Sequence, residues 1–260
     1  MTNKLHIESY GRGQQLVLFH GWGMHSGVFK PVVEELQKDM QLVLVDLPGH
    51  GYSQSYAHFD DIDRTTDYLF EQLQSRLEQQ VVLCGWSTGS LIAQNMAIRY
   101  PGHVKKIVLL TGTPSFKIKS DWAHGVDITI LEKFKNDLLA NFDKTLNRFL
   151  SLQFMHSEGQ KENLRLAREL VFSRPTPHLD MLEAGLELLK STDLRSRLSK
   201  IQSPTLIVNG ERDSLIPTTA ARYLAEQISD ASAVIFKSCG HAPFLSHERY
   251  FNQHLKHFLS

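Results

Sequence analysis

Three residues lie far apart in the chain but have the types and settings needed for acyl transfer: Ser87 in GWSTGS, Asp213 in GERDSLIP and His241 in CGHAPF. A serine hydroxyl is a weak nucleophile until a base takes its proton, and the base needs a third group to fix its tautomer. Serine, carboxylate and imidazole in this chain order are one of the arrangements in which that trio recurs. Each residue also has a plain reading. Ser87 could cap a helix, Asp213 could make a turn and His241 could be an ordinary loop histidine. All three follow separate apolar runs in the right order, and that favours one joint role: nucleophile, orienting acid and base.

The setting of Ser87 sharpens this. Gly85-Trp86-Ser87-Thr88-Gly89 has an apolar run before it, VVLC, and a helical pattern after it, LIAQNMAIRY. A side chain at the tip of a sharp strand-to-helix turn needs unusual torsions, and neighbours without Cβ atoms relieve the crowding. The helix also aims its first N–H groups at whatever charge forms there. An oxyanion would need two such donors. One is the N–H of Thr88, the residue after the nucleophile. The second belongs on the loop after an early strand, where His20-Gly21-Trp22-Gly23 makes the Trp22 N–H the candidate.

The elements that must hold these residues are legible as a rhythm. Apolar runs at 15–20, 41–46, 81–85, 105–112, 204–210 and 233–240 read as strands. Helical patterns at 28–38, 62–79, 88–100, 218–229 and 248–259 separate them. Runs of Val, Ile and Leu without alternation suit a parallel sheet covered on both faces. Strand–helix alternation gives an α/β class with right-handed crossovers. Between 113 and 190 the strand rhythm stops, and helical stretches at 138–153, 161–172 and 179–190 replace it. The expected organisation is an α/β core of 1–112 and 191–260, interrupted by a helical lid of 113–190. Lids of this kind cover sites at the carboxyl ends of strands.

Composition narrows the function classes. The 260 residues can bury a core without staples. Lys plus Arg and Asp plus Glu each number 28, so no net charge argues for nucleic acid or an anionic membrane. Cys84 and Cys239 make no disulfide framework and read as small buried residues, and no ligand spacing suggests a metal. The N-terminal stretch lacks the apolar run of a signal peptide. A cytoplasmic, monomeric protein without cofactor, membrane or nucleic acid is the expectation.

The motifs LVLFHGWG, LVDLPGHG, GWSTGS, RFLSLQ, GLELLK…DLR, GERDSLIP and GHAPF carry a resemblance that spans essentially the whole chain. The sequence resembles the α/β hydrolases and, within them, the pimeloyl-[acyl-carrier protein] methyl ester esterases of biotin synthesis. The core motifs are specific for the superfamily; RFLSLQ and GLELLKSTDLR carry the narrower likeness. Ser90 departs from the glycine of many relatives, which bears on helix packing, and the register around 156–160 is loose. The resemblance implies an α/β-hydrolase fold: a mostly parallel central sheet, helices on both faces and a helical lid. It implies a serine carboxylesterase that frees the distal carboxylate of a pimeloyl chain on acyl carrier protein, with no cofactor. It also implies an acyl site formed by Trp22, Ser87, Thr88, His241 and the segment Phe149, Leu150, Ser151, Leu152, Gln153.

The lid pattern can be set against that partner. With Lys161 at 0° and each helical residue turned by about 100°, Arg165 falls near ~40° and Arg168 near ~−20°. Leu164, Ala167, Leu170 and Val171 fall on the opposite side, so the basic stripe should face solvent. Lys144 and Arg148 form a second basic pair four residues apart. Such charges could steer an acidic carrier protein; a solvated helix face with Glu–Arg pairs is the plain alternative. Two rivals remain from the sequence: another serine hydrolase of this fold acting on small esters or C–C bonds, and a non-catalytic ligand receptor. Dehalogenases and epoxide hydrolases would want Asp at position 87.

Overall fold

The structure, a computed structural model, describes residues 4–260. Its centre is a seven-stranded sheet: β1 (Ile7–Tyr10), β2 (Gln15–Phe19), β3 (Gln41–Val45), β4 (Val81–Trp86), β5 (Val104–Leu110), β6 (Thr205–Gly210) and β7 (Ala231–Phe236). The strands lie in the order β1-β3-β2-β4-β5-β6-β7. All neighbours pair in parallel except β1, which runs antiparallel to β3 at the edge. The helices are α1 (Lys30–Leu36), α2 (Ile62–Leu73), α3 (Thr88–Arg99), α4 (Ile128–Ala140), α5 (Phe142–Gln153), α6 (Gln160–Val171), α7 (Leu179–Ser191), α8 (Thr218–Gln227), α9 (Pro243–Ser246) and α10 (Glu248–Leu259).

The expected α/β class, parallel sheet and two-sided cover are all found. Successive strand residues point to opposite faces. In β2, Val17 and Phe19 join one core with Leu69, Ile92 and Leu224 from α2, α3 and α8. Leu16 and Leu18 join the other, with Leu36 of α1 and Leu255 of α10. Every residue of β2 and β4 is buried, which is why these strands read as unbroken apolar runs. Helix α3 sits so deep that all residues from Thr88 to Ile98 are buried. Its polar Asn95 is accommodated because Nδ2 donates to Thr66 Oγ1, Asp63 Oδ1 and the Ile62 carbonyl.

Three expectations need correction. The periodicity of 138–153 suggests one helix, but the chain breaks at Asn141. That residue adopts an extended backbone and its side chain accepts the Lys144 N–H, so it ends α4 and caps α5. The apolar positions on either side stay in phase through the break, which hides it from a pattern reading. The α2 periodicity runs to residue 79, but the helix stops at Leu73. The Gln15 side chain accepts the Glu78 N–H at 2.7 Å and donates to the Arg76 carbonyl, and so holds that segment as a turn. Strand β1 was not expected: four residues at an edge, half of them exposed, lack the apolar run that marks the others.

Helices α4 to α7 all lie between β5 and β6. They divide between the two cores. Leu186 and Leu189 of α7 pack with the first, while Ala167 and Val171 of α6 pack with the second. After α6, Arg174 fastens this helical layer to the sheet edge. Its guanidinium donates to Asp46 Oδ2 at 3.0 Å and Glu8 Oε2 at 2.8 Å, and it stacks over Tyr52. Asp46 is fully buried and also accepts the N–H groups of Ser26 and Tyr52. DLPGHGYS thus serves as a structural turn.

Candidate active site

Ser87 stands between β4 and α3 with φ 56° and ψ −114°, a backbone conformation that L-residues rarely adopt. Such a conformation costs roughly 1–3 kcal/mol and persists only where the surroundings impose it. Here the imposing contacts are visible. A Cβ on Gly85 would fall on the Gly89 carbonyl, and one on Gly89 would fall on the Phe19 carbonyl. Ser87 N–H donates to the Leu110 carbonyl at 2.9 Å. Ser87 occupies the N-cap position, but its side chain makes no capping hydrogen bond. The plain reading of this serine as a cap therefore fails.

His241 is fully buried, and its Nδ1 is 2.7 Å from Asp213 Oδ2, also fully buried. Asp213 does two jobs. Its other oxygen accepts the N–H groups of Leu215 and Ile216 at 2.8 and 3.0 Å, so it is a turn residue as well as the partner of the histidine. With Nδ1 committed to the carboxylate, Nε2 is left as the basic atom. Nε2 is buried and has no hydrogen-bond partner among the described residues. The carbonyl of His241 accepts from Trp86 Nε1 and Thr111 Oγ1, both at 2.8 Å. Trp86 is next to Ser87, so the serine and histidine loops are tied to each other directly. Trp86 and Thr111 were not singled out from the sequence; nothing in their spacing marks them.

The two candidate oxyanion donors lie at the expected turns. Thr88 is the first residue of α3, so its N–H has no carbonyl one turn earlier in the helix to bond. The Trp22 loop lies against the serine: a Cβ on Gly21 would be 3.3 Å from Ser87 Cβ. Two buried histidines hold this loop. His20 Nδ1–H donates to the Gly21 carbonyl at 2.8 Å while its Nε2 accepts the Leu47 N–H at 2.9 Å. His50 Nδ1–H donates to the Pro48 carbonyl at 2.8 Å while its Nε2 accepts the Gly23 N–H at 3.3 Å. Burial pushes His20 down to about 3 and His50 down to about 4, so both are neutral at pH 7. In the sequence His20 stands at the head of the loop it fixes, HGWG, whereas His50 lies apart from it in DLPGHGYS.

An apolar cavity opens on Ser87, bounded by Trp22, Phe134, Phe149, Leu152, Leu186 and Leu215. Trp22 is its pivot. Its Nε1 donates to the Leu182 carbonyl of α7, and Phe134 and Phe149 each meet it edge-on at 5.2 Å. Gly185 permits this, since a Cβ there would be 2.8 Å from Trp22 Cδ1. The segment expected to line an acyl site is therefore divided by the helix. Phe149 and Leu152 face the cavity. Leu150 is buried in the opposite core with Phe154. Ser151 turns its hydroxyl back to the Asn147 carbonyl. Gln153 is buried, and its main-chain oxygen accepts the His241 N–H at 2.8 Å. Phe134 and Leu186 were missed; alone, each looks like any apolar residue of an amphipathic helix.

Burial lifts both thiols, Cys239 up to about 12 and Cys84 further, so both stay protonated. The basic residues Lys144, Arg148, Lys161, Arg165 and Arg168 are all exposed. Arg165 pairs with Glu169 at 3.2 Å and Arg148 with Asp137 at 3.6 Å, while Lys161 and Arg168 have no ion pair among the described residues. No helix of the described residues is long and apolar enough to cross a membrane.

Comparisons with known proteins agree with this fold. A family model described as alpha/beta hydrolase fold matches residues 15–248. A pimeloyl-[acyl-carrier protein] methyl ester esterase of Nitrosomonas europaea is 39% identical over 247 residues, covering 95% of this chain and 96% of that one. Its counterpart in Xylella fastidiosa is 40% identical over 260 residues, covering 98% and 99%. Among solved structures, an esterase from Exiguobacterium antarcticum superposes with a TM-score of 0.91 at 24% identity, over 99% of this chain and 96% of that one. A bromoperoxidase from Bacillus anthracis gives 0.89 at 23%, over 98% and 95%. At such identities these two structures speak for the fold alone.

Proposed function

The chain belongs to the α/β-hydrolase family, and on that premise we propose that it is a serine carboxylesterase acting on the methyl ester of a pimeloyl chain carried by acyl carrier protein. The observation that carries the chemistry is the buried His241–Asp213 pair, whose Nε2 is left without a partner on a loop tied through Trp86 to the neighbour of a strained serine that caps nothing. The substrate rests on the relatives bearing that name, which match at 35–40% identity across the helical layer as well as the core.

In this reading His241 Nε2 takes the proton of Ser87 Oγ as the oxygen attacks the ester carbonyl. Asp213 holds the imidazole tautomer and stabilises the imidazolium. The Thr88 and Trp22 N–H groups receive the oxyanion, and losing one such donor costs ~100- to 1000-fold in rate. As the tetrahedral intermediate collapses, the imidazolium gives its proton to the methoxide oxygen, which leaves as methanol. Water, deprotonated by His241, then opens the acyl-enzyme and frees the carboxylate. The apolar cavity suits the methylene chain, since it offers a hydrocarbon wall and almost no polar groups. The exposed cations on α5 and α6 are available to the acidic carrier, with Lys161 and Arg168 unengaged.

The test is methanol release from pimeloyl-acyl carrier protein methyl ester by the wild type and by Ser87→Ala. The wild type turns over and the variant, equally folded, does not. Release by Ser87→Ala at the wild-type rate sinks the serine mechanism. Turnover of short soluble esters alongside an inert carrier-bound ester sinks the substrate.

A further inference from the structure

We propose that the turn joining α5 to α6, Gln153–Glu158, positions the His241–Asp213 pair, and that Arg212 is the residue that fastens it. The inference rests on the triad reading above and goes beyond it, because it assigns a positioning role to groups outside the triad.

Three segments form a closed triangle of hydrogen bonds. The turn meets the histidine loop twice: His241 N–H donates to the Gln153 carbonyl, and Glu158 N–H donates to the Ser238 carbonyl, both at 2.8 Å. The histidine loop meets the aspartate turn twice as well. Arg212 N–H donates to the Cys239 carbonyl at 2.9 Å, and Ser238 N–H donates to Glu211 Oε2 at 3.2 Å. The third side is one side chain: Arg212 Nη1 donates to the His156 carbonyl at 2.8 Å. Arg212 immediately precedes Asp213, so it links the acid's own turn to the helical layer.

The turn is built for this contact. His156 has φ 63° and Ser238 φ 53°, so both partners hold left-handed conformations without being glycine. Ser157 closes the turn on itself, with its hydroxyl donating to the Phe154 carbonyl at 2.6 Å. Phe154, fully buried, pins it into the core. A Cβ on Gly240 would lie 2.6 Å from the Gln153 carbonyl oxygen, so position 240 must be glycine for the segments to meet this closely.

Phe149 and Leu152, one turn or less upstream on α5, line the acyl cavity. Any displacement of α5 therefore pulls on the main chain of His241. The helical layer is then part of what aligns the base, and its attachment controls kcat as well as substrate entry. Misplacements of about 1 Å transmitted from outside the chemistry can cost up to ~100-fold in rate. Arg212 is exposed and is one of several ties, so a smaller effect is expected.

The experiment compares Arg212→Ala and Arg212→Lys with the wild type on a p-nitrophenyl ester, with Ser87→Ala as control. Arg212→Ala should lower kcat by about tenfold with KM within about twofold, which marks loss of alignment rather than of binding. Arg212→Lys keeps a donor for the His156 carbonyl and should restore at least half of the loss. The downfield proton resonance of the His241–Asp213 hydrogen bond should broaden in the alanine variant and return in the lysine variant. Arg212→Met, which keeps the stem but not the donor, replaces the alanine variant if that one is insoluble. Unchanged kcat and an unchanged resonance overturn the proposal, as does a lysine variant no better than alanine. Activity surviving in Ser87→Ala would instead overturn the triad reading itself.

Discussion

Acid should loosen this site through two histidines that never touch the substrate. His20 and His50 each use one nitrogen as donor and the other as acceptor, so a second ring proton would point at a backbone N–H. Burial lowers His20 from 6.5 to about 3, assisted by the neighbouring His50, and lowers His50 from 6.5 to about 4. The folded values lie below the unfolded ones. The stability these rings allow is therefore fully present above about pH 6.5 and drains away as pH falls toward the folded values. At pH 5 the unfolded rings are protonated and the folded ones are not. Each then costs about 1.36 × 1.5, or roughly 2 kcal/mol, and the pair about 4 kcal/mol. Domains of this kind carry only about 5–15 kcal/mol in total, so the loss is large. The assay is urea unfolding at pH 7.5 and pH 5.0 for the wild type and His50→Gln, whose amide keeps a donor and an acceptor but does not titrate. The variant should lose about 2 kcal/mol less than the wild type over that interval. Equal losses in the two proteins would refute the reasoning.

The same contacts support three further expectations. Arg174→Ala strips a nearly buried cation from Asp46 and Glu8. Breaking a buried pair costs about 3–5 kcal/mol, but Asp46 keeps two amide donors, so a loss of about 2–3 kcal/mol is expected. Thermal unfolding should show it as a fall of roughly 5–10 °C, and a fall of under 2 °C would contradict it. Phe134→Ala removes one ring from the wall around Trp22. It should raise KM for a six-carbon acyl ester by roughly tenfold and leave an acetyl ester nearly unaffected, as steady-state kinetics on the two esters will reveal. Reversing Lys161, Arg165 and Arg168 to Glu should raise KM for the carrier-bound ester, most strongly at low salt, and spare small esters. Equal effects on both substrates would remove these residues from the carrier surface.

The proposed catalytic set is legible because each member follows a strand of a parallel sheet, and such strands announce themselves as unbroken apolar runs. Ser87, Asp213 and His241 can be placed from the runs that precede them. The glycines around position 87 are required as the crowding argument expects, with the Gly89 and Phe19 carbonyls occupying the space a Cβ would fill. The cavity was half legible. Phe149 and Leu152 belong to a motif, but helical geometry sends Leu150 and Ser151 elsewhere, and a run of consecutive residues cannot all face one side. Phe134 and Leu186 become visible only when α4 and α7 meet at Trp22, a contact between residues more than a hundred positions apart. Asn141 shows the opposite failure: the break it makes is local and has a capping signature, but the apolar phase on either side conceals it.

The supports of the site obey a different logic from its reactive groups. In the proposed mechanism Ser87, Asp213 and His241 must be one residue type each, so type and position reveal them. The groups that hold them are mostly main-chain atoms: the carbonyls of Gln153, His156 and Gly21, and the N–H groups of Leu47, Gly23 and Leu215. A main-chain atom is offered by nearly every residue, so the sequence carries no mark of it. What the sequence can carry is the side chain sent to meet it, here His20, His50 and Arg212. Those three have the types of ordinary loop residues, and only their partners separate them from the exposed His58 or Arg76. It follows that substitutions at Arg212 should be read by rate before stability, since its bond to His156 adds little to a large core but sits one residue from the carboxylate that orients the base.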